Sequence, residues 1–259
     1  MKKTLLLLTL CLWPLSASAQ SPEEKGLAIA VEADRRDAGF KDNLADMVMI
    51  LKNKHGEEST RLLRVAILEV NGDGDKSLSV FDEPRDVNGT ALLSFSHKSG
   101  TDDQWLYLPA LKRVKRIASA DKSGAFMGSE FAYEDISSQE VEKYTYKYLR
   151  DEIHDGHNSF VIERYPVDKY SGYKRQVVWI DKAEYRTLKI DYYDRKDSLL
   201  KTFTARGYRE YLSSHWRPAE MMMVNHQTGK STLLKWSNYR FRTGLKETDF
   251  TQESLKRAQ

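Results

Sequence analysis

Few residues in this 259-residue chain are spaced for chemistry. Asn71-Gly72-Asp73-Gly74-Asp75 begins like a calcium loop, where oxygen ligands alternate around a tight turn. The sixth position, which needs glycine, is Lys76, and the twelfth is Asp82 rather than Glu. The segment reads as an acidic hairpin turn. His154 and His157 lie among Asp151, Glu152 and Asp155, but their spacing fits no zinc pattern. They read as a polar turn. Ser213-Ser214-His215 sets a hydroxyl beside a base, yet neighbours in a strand point to opposite faces. No Gly-x-Ser-x-Gly, phosphate-cradling glycine loop or His-Glu-x-x-His occurs. The expectation is a protein with no catalytic residues, no metal site and no cofactor.

The N-terminus carries a different message. Lys2 and Lys3 precede the apolar run Leu5 to Leu12, and Ala17-Ser18-Ala19 gives the small-x-small pattern of a cleavage site. This reads as a signal peptide over residues 1–19, cut after Ala19. The run is too short to span a bilayer and Pro14 interrupts it, and no later segment is as apolar. The mature chain is therefore expected not to be an integral membrane protein. Cys11 lies inside the apolar run, and Leu8-Thr9-Leu10 before it lacks the small residue that lipidation of a cysteine uses. With 41 basic and 38 acidic residues the net charge is +3. Loss of Lys2 and Lys3 leaves 39 against 38. Such balance argues against nucleic-acid binding. Cleavage also removes the single Cys, which suits an exported protein in an oxidising compartment such as a periplasm.

The elements that would position any site are mostly strands. Ser21-Pro22-Glu23-Glu24 starts a helix: Ser21 caps, Pro22 fits the first position and Glu24 completes a capping box. Gly39 is the expected stop. From Leu44 the apolar period becomes two. Met47 to Leu51, Arg61 to Glu69, Lys76 to Phe81, Ala91 to His97, Gln104 to Leu108 and Arg113 to Ile117 read as strands separated by turns. The pattern breaks between Ser119 and Arg150, where Gly124 and Gly128 flank an apolar loop. Tyr133 to Tyr148 is polar, Tyr-rich and partly helical in pattern, so the stretch reads as an insertion crossing the sheet. Strands resume at Asn158 to Tyr165, Tyr173 to Ile180, Thr187 to Tyr193, Leu199 to Tyr208, Ala219 to Asn225 and Ser231 to Phe241. Phe250 to Arg257 is a short terminal helix or an extended tail. The reading is one mainly β domain over residues 20–259, with a few helices. A sheet this large must close, stack or be covered. A half-barrel with the two helical stretches, after Ser21 and after Tyr133, across its mouth would leave an apolar cavity for a ligand.

Two blocks are distinctive: Asp103-Gln104-Trp105-Leu106-Tyr107-Leu108-Pro109-Ala110-Leu111-Lys112-Arg113-Val114-Lys115-Arg116-Ile117, and the run from Gly124 to Ile136 that contains Phe126-Met127-Gly128-Ser129. They resemble the LolA-like outer-membrane lipoprotein-sorting protein family, in its branch associated with exporters of the RND type. Trp179-Ile180-Asp181, Lys189 to Asp194, Trp216-Arg217-Pro218, Met221 with Met223 and Asn225, and Thr248 to Thr251 resemble it too. The resemblance implies an incomplete antiparallel β-barrel with a helical lid over an apolar cavity. It also implies a periplasmic carrier or chaperone for a lipid, a lipoprotein acyl chain or another amphipathic cargo. The blocks differ from those of the founding carriers, so no ligand contacts are transferred from them.

Carriage needs an apolar container rather than covalent chemistry, because each exposed CH₂ costs about 0.8 kcal/mol in water. Aromatic and Met side chains suit such a container. Alternation puts Trp105 with Tyr107 on one face, and Met221 with Met223 on one face. These four, with Phe126, Met127 and Phe131 of the glycine-flanked loop, are the candidate cavity and gate residues. Lys112, Arg113, Lys115 and Arg116 form a candidate basic rim for anionic head groups or an acidic partner. Solvated strand faces and a loop tucked into the core are the plain structural alternatives. Two other functions stay open: an accessory interaction subunit of an RND-type inner-membrane exporter, and a periplasmic lipid hydrolase.

Overall fold

The computed structural model describes residues 20–257, and the expected signal peptide, residues 1–19, lies outside them. Helix α1 (Pro22–Asp37) opens as the sequence predicts. Ser21 Oγ accepts from the Glu24 amide at 3.1 Å, and Glu24 Oε2 accepts from the Ser21 amide at 2.9 Å. This capping box satisfies two amides that have no partner within the helix. Among the described residues no helix is long and apolar enough to cross a membrane.

Strands β1 (Asp42–Lys52), β2 (Glu58–Leu68), β3 (Lys76–Glu83), β4 (Ala91–Phe95), β5 (Asp103–Leu108) and β6 (Arg113–Ile117) form a first meander. Strands β7 (Tyr144–His154), β8 (His157–Pro166), β9 (Tyr173–Asp181), β10 (Thr187–Asp194) and β11 (Leu199–Arg206) form a second. β12 (Arg209–Tyr211) and β13 (His215–Arg217) pair only with each other, and β14 (Glu220–Asn225) and β15 (Ser231–Phe241) complete the chain's strands. The 13-stranded antiparallel sheet runs β6-β5-β4-β3-β2-β1-β15-β14-β11-β10-β9-β8-β7. It is joined at its centre where β1 meets β15, with Met47 opposite Trp236.

The sheet is not closed into a barrel, since β6 and β7 are its two edges. It is nonetheless strongly curled. Ser79 and Ser94 on one side of the strand order line the same cavity as Ile162 and Val178 on the other. A flat sheet would hold these strands many 4.8 Å spacings apart. The main core fills this inner face, with Met49, Phe81, Leu92, Phe126, Ile162 and Met223 almost fully buried.

The connection from β6 to β7 runs from one edge to the other as a strap, residues 118–143. Here the structure departs from the sequence reading. Tyr133 to Tyr148 is helical only in part: it supplies one α-helical turn, α2 (Tyr133–Ile136), and a 3₁₀ turn at Val141–Lys143, and then enters β7 at Tyr144. The Tyr side chains explain the misreading. Tyr144 and Tyr146 alternate correctly for a strand, but their tyrosine and lysine neighbours hide the apolar-polar contrast. The terminal helix, α3 (Gln252–Arg257), packs Leu255 with Phe250 against the outer face of β4 and β5, away from the cavity.

Helix α1 rests on β7. A Cβ at Gly26 would lie 2.8 Å from the Lys147 carbonyl carbon and the Tyr148 amide nitrogen. Gly26→Ala improves helix propensity but overpacks this contact. It is expected to lower stability by about 1–3 kcal/mol, read as a lower midpoint in thermal unfolding. An unchanged or raised midpoint would mean that the helix is not seated this closely.

Candidate functional site

Strand register sets the inner face in rows. Tyr146 pairs with Arg164, Arg164 with Gln176, Gln176 with Tyr192, Tyr192 with Lys201 and Lys201 with Asn225. This polar row crosses six strands, β7 to β14. The next row is apolar: Tyr148, Ile162, Val178, Ile190, Phe203, Met223 and then Thr232. Between this face, the strap and α1 lies a cavity of about 540 Å³. That falls within the ~300–1,000 Å³ common for small-molecule sites. Ile162, Val178, Ile190, Phe203, Met221 and Leu234 give it an apolar floor.

The strap is fastened from the polar row. Lys201 Nζ donates to Asp135 Oδ2 at 2.7 Å and to the Glu130 carbonyl at 2.9 Å, and both ion-pair side chains are only 5% exposed. The Tyr173 hydroxyl donates to Asp135 Oδ1 at 2.9 Å. Burial, then the nearby Asp135 and Glu134 carboxylates, push the Tyr173 phenol well above its ordinary range, so it stays a donor. Asn225 Nδ2 donates to Glu130 Oε2, and the Glu130 amide to Thr232 Oγ1. Phe126 is fully buried against Phe81, and Phe131 meets Phe203 edge-on. Burial pushes the Glu134 carboxyl up to about 7, aided by Asp135 beside it. Burial also raises the Asp75 carboxyl to about 7, with Glu140 of the strap adding to the effect.

The opposite end of the cavity is ringed by ion pairs and aromatic rings. Arg217 pairs with Asp37, Arg186 with Asp181, and Arg36 with Glu32 at 2.7 Å. The Trp216 indole donates to Glu184 at 3.2 Å, and Arg186 lies 4.6 Å from the Trp216 ring centre. Trp236 lines the same region, and its buried indole N–H has no partner among the described residues.

The residues singled out in the sequence divide between the two faces. Phe126, Phe131 and Met221 line the cavity. Met223 is fully buried in the inner core, and Met127 packs against that core from the strap. Trp105 and Tyr107 are a correction: they lie on the outer face with Phe250 and Leu255. Leu106 and Leu108 are the inward pair. Bulk misled here, because the outer face of β4 and β5 has its own small core under α3, where large aromatic rings are also needed. Lys112, Arg113, Lys115 and Arg116 are all exposed on or beside edge strand β6. By register Arg113 and Lys115 share the inner side of β6 with Leu108 and Leu106. Charges on an edge strand also discourage pairing with another sheet.

Of the chemical candidates, Asp75 and Ser214 line the cavity away from its apolar floor, and the others lie outside its lining. Asp73 accepts from the Lys98 amide and lies 2.8 Å from His97 Nδ1, while Asp82 pairs with Arg64. His154 and His157 face each other across the β7–β8 turn. Ser214 and His215 correct the strand argument. Leu212 and Ser213 are left-handed turn residues, and Ser214 Oγ sits 3.0 Å from His215 Nδ1. His215 Nε2 meets the Ala38 carbonyl at 3.2 Å, so a backbone group rather than a carboxylate orients the ring. The sequence reading passed over Arg164, Gln176 and Lys201. Their signal was legible: each breaks an apolar inward parity, as Ile162 to Arg164 and Val178 to Gln176 do.

Comparison with known proteins fits this architecture. A family model described as "Uncharacterized protein" matches residues 73–257. A crystal structure from Vibrio parahaemolyticus, of a domain named for outer membrane lipoprotein sorting, is 60% identical. The match covers 90% of this chain and 99% of that one, with a TM-score of 0.89. A DUF1329 family protein from Desulfovibrio piger is 33% identical over 91% of this chain and 99% of its own, with a TM-score of 0.86. A LolA superfamily protein from Nitrosomonas europaea shares the fold at 21% identity and a TM-score of 0.71, over 88% of this chain and 98% of that one. No curated protein matches the chain.

Proposed function

We propose, because this chain belongs to the LolA-like outer-membrane lipoprotein-sorting protein family, that it is a periplasmic carrier for a lipid, a lipoprotein acyl chain or another amphipathic cargo. The observation that carries the reading is the 540 Å³ cavity with its apolar floor, held under a strap and α1. Residues 1–19 would direct export and be cut off, and residues 20–259 would act as one unit. An acyl chain on Ile162, Val178, Ile190 and Phe203 would leave water for a surface of matching apolarity. That transfer is worth about 0.8 kcal/mol per CH₂ and is reversible, as carriage requires. No bond need form or break, so no catalytic residue is assigned. Helix α1 and the strap border the cavity and are the parts that would act as a lid. The exposed cluster of Lys112, Arg113, Lys115 and Arg116 would face an anionic membrane surface or an RND-type exporter.

The test is native mass spectrometry, with lipid extraction, on protein purified from periplasm without detergent. The expected result is a discrete lipid adduct that is lost when the protein unfolds. A clean apo mass from repeated preparations, with a stable membrane partner, would replace carriage by the docking-subunit reading.

A further inference from the structure

The charged side chains around the cavity are not equivalent. Arg36, Arg186 and Arg217 each have a carboxylate partner, and Lys201 is neutralised by Asp135. Arg164 also lines the cavity, but among the described residues it makes no ion pair. Its Nε donates to Gln176 Oε1 at 2.7 Å and one Nη2 proton to Gln139 Oε1 at 3.3 Å. A guanidinium carries five N–H donors. Both Nη1 protons and one on Nη2 are left without a protein partner among the described residues. The Tyr144 ring stacks beneath, 4.3 Å from the guanidinium carbon, and Gln176 is almost fully buried. These contacts fix the plane of the fork and leave its free edge open.

Arg164 is half-buried, so water reaches its free donors, and a carboxylate or phosphate can replace that water through charge-assisted hydrogen bonds to a planar fork already held in place. The nearest residues of the next row, Ile162 and Val178, give the space beside it an apolar lining. We propose that Arg164 is the recognition site for the head of an anionic amphiphile, a carboxylate or phosphate group whose acyl chain lies along the apolar row. The proposal rests on the carrier reading and specifies its cargo class.

The test compares cis-parinaric acid with its methyl ester by fluorescence titration, and lysophosphatidic acid as a competitor. It uses the mature protein and its Arg164→Gln and Arg164→Lys variants. The protein is expected to prefer the acid to the ester by about tenfold or more, the size of a charge-assisted hydrogen bond. Arg164→Gln should erase that preference by bringing the acid down to the affinity of the ester, and ester binding that is still measurable also shows that the cavity is intact. Arg164→Lys should keep only part of it, because lysine lacks the planar fork. An unchanged acid-to-ester ratio in Arg164→Gln would overturn the head-group role and leave carriage standing. If neither acid nor ester binds the unaltered protein, the carrier reading itself fails. Inorganic phosphate alone that displaces the acid at equal concentration would mark a small-anion site and overturn the amphiphile.

Discussion

Replacing Lys201 by methionine is expected to cost about 3–5 kcal/mol of folding stability. Methionine keeps most of the apolar stem of lysine and is one atom shorter, so the stem's packing beside Tyr173 and Tyr192 changes little. What disappears is the charge. Asp135 would stay 5% exposed, held only by the Tyr173 hydroxyl and the Ala132 amide. An ionised carboxylate in that setting carries its full desolvation cost. The pair itself is not the source of the stability. Removing both charges should therefore recover most of the loss, and Lys201→Met with Asp135→Asn is expected within about 1–2 kcal/mol of the unaltered protein. Urea unfolding of both single variants and the double gives the coupling. A single-variant loss below 1 kcal/mol would mean that water reaches the pair and that the strap is held by its other hydrogen bonds and its aromatic residues. If Lys201→Met does not fold, the double variant still decides, since only an uncompensated charge predicts its rescue.

The sheet was legible because its physics is local. Alternation in Met47 to Leu51 or Ser231 to Phe241, with glycine and asparagine turns between runs, marks strands without knowledge of what they face. The motif blocks around Trp105 and Phe126 pointed to the family for the same reason, being contiguous in sequence. The site was less legible because it is made by register. Arg164, Gln176 and Lys201 belong to three strands, and only the pairings of β8 with β9 and of β10 with β11 put them in one row. The direction of a strand face is likewise not local. Trp105 and Tyr107 are as apolar as any cavity wall, and α3, more than 140 residues on, covers them on the outer face. Phe126 and Phe131 read in the sequence either as a mobile gate or as a loop tucked into the core, and both are buried in the main core. Phe126 has no exposed surface and the strap around it is tied to β11, β14 and β15. Movement of the strap would have to break a buried ion pair, which makes α1, with its narrower apolar seat, the easier part to displace.

Stability is expected to fall as pH rises from about 4 to 7, on the order of 4 kcal/mol for Asp75 and Glu134 together after allowance for solvent screening. Both carboxyls are raised to about 7 in the folded protein, chiefly by burial. Unfolded, they release their protons near pH 4. Between those values the folded state holds protons that the unfolded state has lost, so each increase in pH favours unfolding. The sign is opposite to that of a paired surface carboxylate. Asp73, held at about 2 mainly by its hydrogen bond with His97, has its own effect below this window. Three groups need separating from the two. Asp34, raised by burial, acts in the same direction. His97, raised by Asp73, adds a further loss of stability above about pH 6.5. Lys122 partly offsets the burial of Glu134. Asp75→Asn with Glu134→Gln isolates the pair: the double variant should be more stable than the unaltered protein at pH 7.5 and show a flatter profile below it. Ser171 Oγ and the Gly172 amide both donate to Glu134, so glutamine, which keeps one acceptor oxygen, loses part of that gain. Urea midpoints from pH 4.5 to 7.5 supply both curves. Parallel curves would show that neither carboxyl is protonated in the folded state. Because Glu140 of the strap faces Asp75, loss of the Asp75 proton sets like charges across the strap's far contact.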